Sequence, residues 1–408
     1  MTFELQARTD AGRDLVALAE RLAADFATRA ADHDRDGTYP FESLRALGET
    51  GYLAAPVPSE LGGLGVESVH DLLVASTRLA RGDAALTIGV NMHLIPVISM
   101  AQRWRRARLR GDERRAGAFG GSLERVARDR VVMAAAISEP NQDLTRPATV
   151  ARRTAEGWMV DGRKIFCTMS PAATLLYTAV TFRDEGGAER YGYAQIPTDA
   201  PGVRMHDDWD ALGMRASGSQ SVSFEGVRLP AGALLGGFPA GRLSGDWMER
   251  NLTAGAFHAA ASVGIAEAAH RRVLDDLAGN GAGAGSPRAQ TLVAENAIEL
   301  SALRAFFDRA GALLDEHDLR SAGAPVAEAE VAALFAEVQA AKAFVNEAAM
   351  RVVDRALALS GGAGYMSRHP LSRAYRDVRA GPFMHPLGST RAYELIGRLA
   401  LGAEAELR

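Results

Sequence analysis

The sequence holds a single cysteine, Cys167, in 408 residues. That excludes an internal disulfide framework and any metal site built from several thiolates. Basic charge is not in excess: 46 Lys and Arg stand against 50 Asp and Glu, a formal net charge of −4. Binding nucleic acid needs a basic face. The one basic run, "RWRRARLRGDERR" at 103–115, reads as a solvated helix end or loop. No uncharged apolar run approaches the roughly 18–20 residues of a membrane span. The start, "MTFELQARTDAGRDL", lacks the basic-then-apolar signal pattern, so a cytoplasmic location is expected. No His-x-x-x-His pair accompanies a carboxylate cluster, and "SGGAGY" lacks a Walker lysine, so neither a metal nor a nucleoside triphosphate is expected.

What remains is an ordinary globular composition, 47% hydrophobic and 24% charged, on a chain longer than one core usually supports. Residues 1–130 read as helices. "DLVALAERLAADFATRAADHD" carries apolar residues at three- and four-residue spacing, and two helical segments meet near Gly82-Asp83. From 131 to 240 the pattern is β. "VVMAAAISEP" is a buried strand, "ARRTAEGWMVDGRKIFCT" alternates around "EG" and "DG" turns, and short strands follow up to "SQSVSFEGVRLP". Residues 241–408 return to helix, interrupted by the glycine-rich "LAGNGAGAGSPRAQ" at 277–290. Two helical layers around a small antiparallel sheet unit are expected.

Five segments occur in one order: "PSELGGLG" (58–65), "ISEPNQD" (137–143), "GWMVDGRKIFCT" (157–168), "LGMRASGSQSVSFEGVRLP" (212–230) and "SGGAGYMSRHPLSRAYRDVR" (360–379). Together they resemble the acyl-CoA dehydrogenase superfamily nearly end to end. The resemblance implies an N-terminal α-helical domain, a middle β-barrel or sandwich domain and a C-terminal four-helix bundle. It also implies a homotetramer or dimer with a flavin between the β domain and the helices. By the resemblance, Thr168 would hydrogen-bond flavin N5 through its hydroxyl or amide. Phe166 would lie beside the ring and Ser138 would contact the pyrimidine side or phosphate. Gly361 and Gly362 would form the family's cofactor turn, and Arg376 would meet a phosphate or pair with an acid.

The departures point elsewhere. The glycine-rich break lacks the Arg and Phe of the family's FAD-binding motif. Ala358 stands where a glutamine binds pyrophosphate, and Asp143-Leu144 replaces a glycine–serine pair. Reduced FMN is therefore favoured, with FAD as the other possibility. The family's catalytic glutamate falls at His385, its alternative position falls at Ala254, and Glu249 lies more than a helical turn earlier. In the superfamily's two-component flavin monooxygenases, histidines take these places, and this chain offers His385 and His93. Such an enzyme would take reduced flavin from a separate reductase and use O₂, through a C4a-hydroperoxyflavin, to hydroxylate or N-oxidise a small organic substrate. His385 and His93 would be catalytic with Thr168, donating to the peroxide or acting as a base. His258 and Met384 would border the substrate. Two alternatives stay open: an acyl-CoA or acyl-carrier-protein dehydrogenase with a displaced base, and a flavin-free scaffold. His93, on an apolar helix, equally reads as a core residue.

Overall fold

The computed structural model describes residues 3–140, 143–279 and 285–406. Six helices come first: α1 (Asp10–Phe26), α2 (Ala30–Asp36), α3 (Phe41–Glu49), α4 (Val69–Ala80), α5 (Ala84–Leu109) and α6 (Glu113–Arg128). The break at Gly82-Asp83 is a cap: the Asp83 side chain accepts from the Leu86 N–H at 3.0 Å and starts α5. By length and apolar composition α5 is able to span a bilayer, yet 89% of its apolar window is buried inside the fold. It is a core helix.

Eight strands follow: β1 (Met133–Ala136), β2 (Val150–Thr154), β3 (Gly157–Cys167), β4 (Leu175–Arg183), β5 (Glu189–Pro197), β6 (Val203–Met205), β7 (Gln220–Pro230) and β8 (Leu234–Pro239). The sheet order is β6-β7-β3-β2-β4-β5-β8, with β1 beside β4. It is mixed, not antiparallel throughout, since β4 runs parallel to both β1 and β2. The cause is that β3 hairpins back from β2 to pair with β7, so the chain returns to β4 in the direction of β2. The "DG" at Asp161-Gly162 is not a turn either. β3 runs through it with a register shift, and Gly162 takes φ +154° because a Cβ there would fall 2.5 Å from the Thr149 hydroxyl.

The C-terminal part comprises α7 (Gly245–Arg250), α8 (Leu252–Gly279), α9 (Pro287–Gly323), α10 (Glu328–Ser360), α11 (Pro370–Asp377) and α12 (Ser389–Ala400). Residues 280–284 of the glycine-rich break lie outside the described residues. Helix α8 packs against α4, α5, α9 and α10. Its close approach to α4 needs Gly264, where a Cβ would stand 2.5 Å from both Ala80 Cβ and the Thr77 carbonyl. A buried ion cluster ties the same layers together. Glu267 on α8 accepts from Arg81 (2.7 Å) and Arg304 (2.6 Å), with Arg78 at 3.4 Å. Arg78 and Arg304 also bind the carbonyls of Leu5 and Phe3, which pins the N-terminal segment. Buried Trp247 fixes α7: its Nε1 donates to the Leu144 carbonyl at 3.1 Å, and its ring packs edge-on against Phe335 at 5.8 Å.

Candidate active site

A cavity of about 380 Å³ lies where α5, the ends of β1 and β3, the 211–219 loop, the α7–α8 junction and the 376–385 segment meet. Among the described residues its lining includes three arginines and two histidines but no Asp or Glu. On the side of the β domain, Phe166 takes a left-handed conformation (φ +54°) and remains 58% exposed. A non-glycine residue persists there only when its surroundings hold it. Here the Ile165 N–H donates to the Ser138 carbonyl at 2.9 Å, and the Phe166 ring meets Trp209 edge-on at 5.9 Å. Beside it runs a chain of hydroxyls. Ser217 and Ser219 lie 2.7 Å apart, and Ser219 donates to Thr168 Oγ1 at 2.9 Å. The Thr168 N–H is already given to the Phe166 carbonyl at 2.9 Å, so the hydroxyl is the group left to face a ligand. An exposed aromatic wall edged by fixed hydroxyls fits an isoalloxazine ring. Phe166, Thr168 and Ser138 all line this cavity.

The opposite wall carries the histidines. His385 follows α11 and is joined to Pro386 by a cis peptide. Its Nε2 lies 2.9 Å from Asn251 Oδ1, and Asn251 Nδ2 donates to the Trp247 carbonyl at 2.8 Å. That second bond fixes which way the amide points, because a carbonyl only accepts. Asn251 therefore presents oxygen to His385, and Nε2 carries the proton. Nδ1 is left bare, with no partner among the described residues. In the same way His258 Nδ1 faces the Ala254 carbonyl at 2.6 Å, so Nδ1 carries its proton and Nε2 is the bare nitrogen. Burial pushes His385 down to about 3, with His258 and Lys342 adding to the shift. Burial, then Lys342, brings His258 down to about 3 as well. Both rings are neutral hydrogen-bond acceptors at neutral pH. This corrects the expectation that His385 donates: its single N–H is spent on Asn251.

Lys342 on α10 supports this wall from behind. Its buried ammonium donates to the carbonyls of Met384, His385 (3.2 Å) and Leu387 (2.8 Å), gathering the segment that carries His385. Met384 lines the cavity.

Several expected residues sit elsewhere. His93 is wholly buried outside the cavity lining. Its Nε2 donates to the Leu53 carbonyl at 2.9 Å and its Nδ1 accepts from the Met133 N–H at 3.1 Å. Both nitrogens are consumed in stapling α5 to the chain on either side, so it has none left for chemistry. Gly361 and Gly362 are exposed beyond α10 and do not line the cavity. Arg376 does line it, but its guanidinium is committed to Asp34 (2.9 and 2.5 Å) and the Leu212 carbonyl. It is not free to hold a phosphate. Glu249 lies outside the cavity, bound to Arg106 at 2.8 Å and held down to about 2 by His317 and Arg106. Cys167 is buried, its thiol pushed up to about 12 by burial.

The buried histidines set a pH response. His93 is brought down to about 4 by burial, His258 and His385 to about 3. Between those values and about 6.5 the unfolded chain binds more protons, so stability rises with pH across that window. It is lost as pH falls below about 6.5, by up to about 1.4 kcal/mol per pH unit for each histidine. Asp377, pushed up to about 7 by burial, pulls the other way, as do Asp83 and Asp315, which burial also raises; His270 and His369, which burial lowers, add to the histidine side. The urea midpoint is expected to drop between about pH 7 and pH 5, and to drop less in His93→Gln. A midpoint that stays constant over that range contradicts the buried, neutral assignment.

Three family models match in order: acyl-CoA dehydrogenase N-terminal domain over residues 9–107, middle domain over 134–227 and C-terminal domain over 246–390. The chain belongs to the acyl-CoA dehydrogenase superfamily. Its three-part order, helices then sheet then helices, is the one that family membership requires. L-evernosamine nitrososynthase of a Micromonospora species is 34% identical over 406 residues, covering 98% of this chain and 92% of its own. A solved structure of KijD3 with FMN and dTDP-3-amino-2,3,6-trideoxy-4-keto-3-methyl-D-glucose has 32% identity and a TM-score of 0.88, covering 99% and 97%. Putative acyl-CoA dehydrogenase YdbM of Bacillus subtilis is 31% identical, covering 92% and 93%. Both chemistries thus occur among superfamily relatives at similar identity, and the cavity separates them. Abstracting a proton from carbon next to a thioester needs a base that this lining does not hold as a carboxylate. Within the superfamily the chain is a flavin-dependent oxidising enzyme of the monooxygenase branch.

Sequence reasoning missed Asn251, Lys342 and the Ser217–Ser219 pair. The serines stand inside the "ASGSQ" stretch that carries the resemblance. For Asn251 and Lys342 no local signal exists, because each acts on a residue more than 40 positions away.

Proposed function

We propose that the enzyme N-oxidises the primary amino group of a sugar carried on a nucleoside diphosphate, using reduced FMN and O₂. The observation that carries this reading is the pair of bare imidazole nitrogens, His385 Nδ1 and His258 Nε2, in a cavity lined by no carboxylate among the described residues. A primary amine is protonated in water and must lose a proton before its lone pair can attack oxygen. Two neutral acceptors bind the N–H groups of the free amine and so favour it over the ammonium, whose proton leaves to solvent on binding; a carboxylate would hold the ammonium form instead. Phe166 and Trp209 offer the flavin an apolar wall, Thr168 and Ser138 offer it polar contacts, and Met384 closes the substrate side. Bound there, reduced flavin supplies the two electrons that O₂ needs. The amine gains one oxygen atom, the other oxygen leaves as water, and a second turnover takes the hydroxylamine to the nitroso compound with two further waters.

The nitrososynthase relatives and the amino-sugar ligand of KijD3 support this substrate class. In this reading a separate reductase provides the reduced flavin, and both act in the cytoplasm. The exposed Tyr365 and Met366, just after the Gly361-Gly362 turn, support a homo-oligomer that covers them.

The test is a coupled reaction of purified protein, FMN, NADH, a flavin reductase and a dTDP-linked amino sugar in isotopically labelled O₂. Labelled oxygen on the substrate nitrogen is expected. An unlabelled, unchanged amine rejects the proposal. Bleaching of bound flavin by an acyl thioester points to the dehydrogenase, and no flavin uptake in either redox state points to a scaffold.

A further inference from the structure

A second chamber of about 30 Å³ adjoins the cavity, and Ser99 and Arg250 line both. Its walls include Gln102, Arg103, Arg106, Glu249 and Thr253. The acid in it is already used: Glu249 accepts from Arg106 at 2.8 Å with His317 at 3.7 Å, and Arg106 also reaches Asp318 at 3.1 Å. Arg103 is different. It is half-buried, yet it makes no ion pair and no hydrogen bond among the described residues. Among the described residues Arg250 has the Tyr177 hydroxyl at 3.3 Å and the Tyr193 ring at 5.5 Å, and no carboxylate pairs with it. Burial, followed by the repulsion from Arg250, draws Arg103 down to about 10. Buried cations without a counter-charge are costly and rare. Arg103 and Arg250 are half-buried side by side, and the acid nearest to Arg103 among the described residues, Glu249, is already engaged by Arg106, so the pair can take a further anion.

We propose that this chamber seats a phosphoryl group of the substrate, held by Arg103 and Arg250. The identity of the molecule that carries the phosphate rests on the nucleotide-sugar reading above. A volume of about 30 Å³ holds roughly two water-sized groups, so it takes two oxygens of one phosphoryl, with the phosphorus at the mouth beside Ser99 and Arg250, which line both spaces. Guanidinium forks suit phosphate oxygens, and the Ser99 and Thr253 hydroxyls and the Gln102 amide can complete the shell. The position also has a purpose. Arg250 is followed directly by Asn251, which orients His385. The anchored phosphoryl and the amine acceptor are thus tied to one rigid α7–α8 junction, which sets the reach from phosphate to amino group.

The test titrates the FMN-loaded protein calorimetrically with dTDP, thymidine and inorganic pyrophosphate, in wild type, Arg103→Gln and Arg103→Lys. Arg103→Gln is expected to weaken dTDP and pyrophosphate binding about tenfold or more, leaving thymidine unchanged. Arg103→Lys keeps the charge and is expected to retain most of the pyrophosphate affinity, which separates lost charge from damaged folding. Equal dTDP affinity in wild type and Arg103→Gln, or equal loss in both variants, overturns the proposal. The two readings fail separately. If the dTDP-linked amine is not oxidised but pyrophosphate still requires Arg103, the chamber stands and the substrate reading falls. If Arg103→Gln oxidises that amine with an unchanged KM, the chamber falls and the substrate reading stands.

Discussion

His385→Ala is expected to lower kcat for amine oxidation by about 100-fold, the low end of the range for a positioned acid–base group, because it removes one of the two acceptors that favour the free amine. Flavin affinity should stay within about twofold, because the residues offered to the ring, Phe166, Thr168 and Ser138, lie on the other side of the cavity. Neighbours set the protonation state of His385. Asn251 Oδ1 accepts a hydrogen bond from Nε2–H, and burial keeps the ring neutral, so Nδ1 is left as an acceptor. Asn251→Ala leaves the imidazole in place but frees its tautomer. It should therefore cost less than His385→Ala and alter the pH profile of kcat, which a mere packing defect does not do. Lysine at 385 is not a substitute, since an ammonium only donates and cannot accept an amine N–H. Steady-state kinetics with the amino-sugar substrate, paired with a flavin titration of each variant, decides the matter. An unchanged kcat in His385→Ala removes this residue from the mechanism.

Glu267→Gln is expected to destabilise the protein by about 3–5 kcal/mol, the cost of breaking a buried ion network at one partner. Glu267 sits wholly inside the α4–α8–α9 packing, and its two oxygens answer three guanidinium groups, those of Arg78, Arg81 and Arg304. Glutamine keeps the shape but removes the negative charge that all three share, leaving Arg78 only Glu20 at 3.2 Å. The arginines are then left buried and mutually repelling, and Arg78 and Arg304 lose the pairing that positions them on the Leu5 and Phe3 carbonyls. Urea unfolding measured at constant pH should show the loss, together with earlier proteolysis of the N-terminal segment. A change below about 1 kcal/mol contradicts the assignment, since it equals what an exposed pair is worth.

The two faces of the cavity differ in how far they were legible. Phe166, Thr168 and Ser138 belong to short segments whose order along the chain is distinctive, and all three line the cavity. His385 was legible as a position, by counting from Arg376-Asp377, but not as an acceptor. Its protonation is decided by Asn251, 134 residues earlier. His93 shows the opposite failure. An isolated histidine on an apolar helix has the same pattern whether it lines a pocket or staples the backbone, and only the positions of Leu53 and Met133 tell these apart. Arg376 and Arg103 make the same point for charge. In sequence both are arginines among arginines; in the fold Asp34 pairs with the first, while among the described residues no acid forms an ion pair with the second.

The sequence by itself determined the order of helices, strands and helices, the family and the loss of the carboxylate base. Each of these is written locally, in periodicity, in turn residues and in the identity of single positions. Only the tertiary structure decided which nitrogen of each histidine is bare, which arginines lack a partner and which glycines allow close packing. Hydrogen bonds, desolvation and charge pairing act over a few ångströms in space, and folding brings together groups that the chain holds hundreds of residues apart.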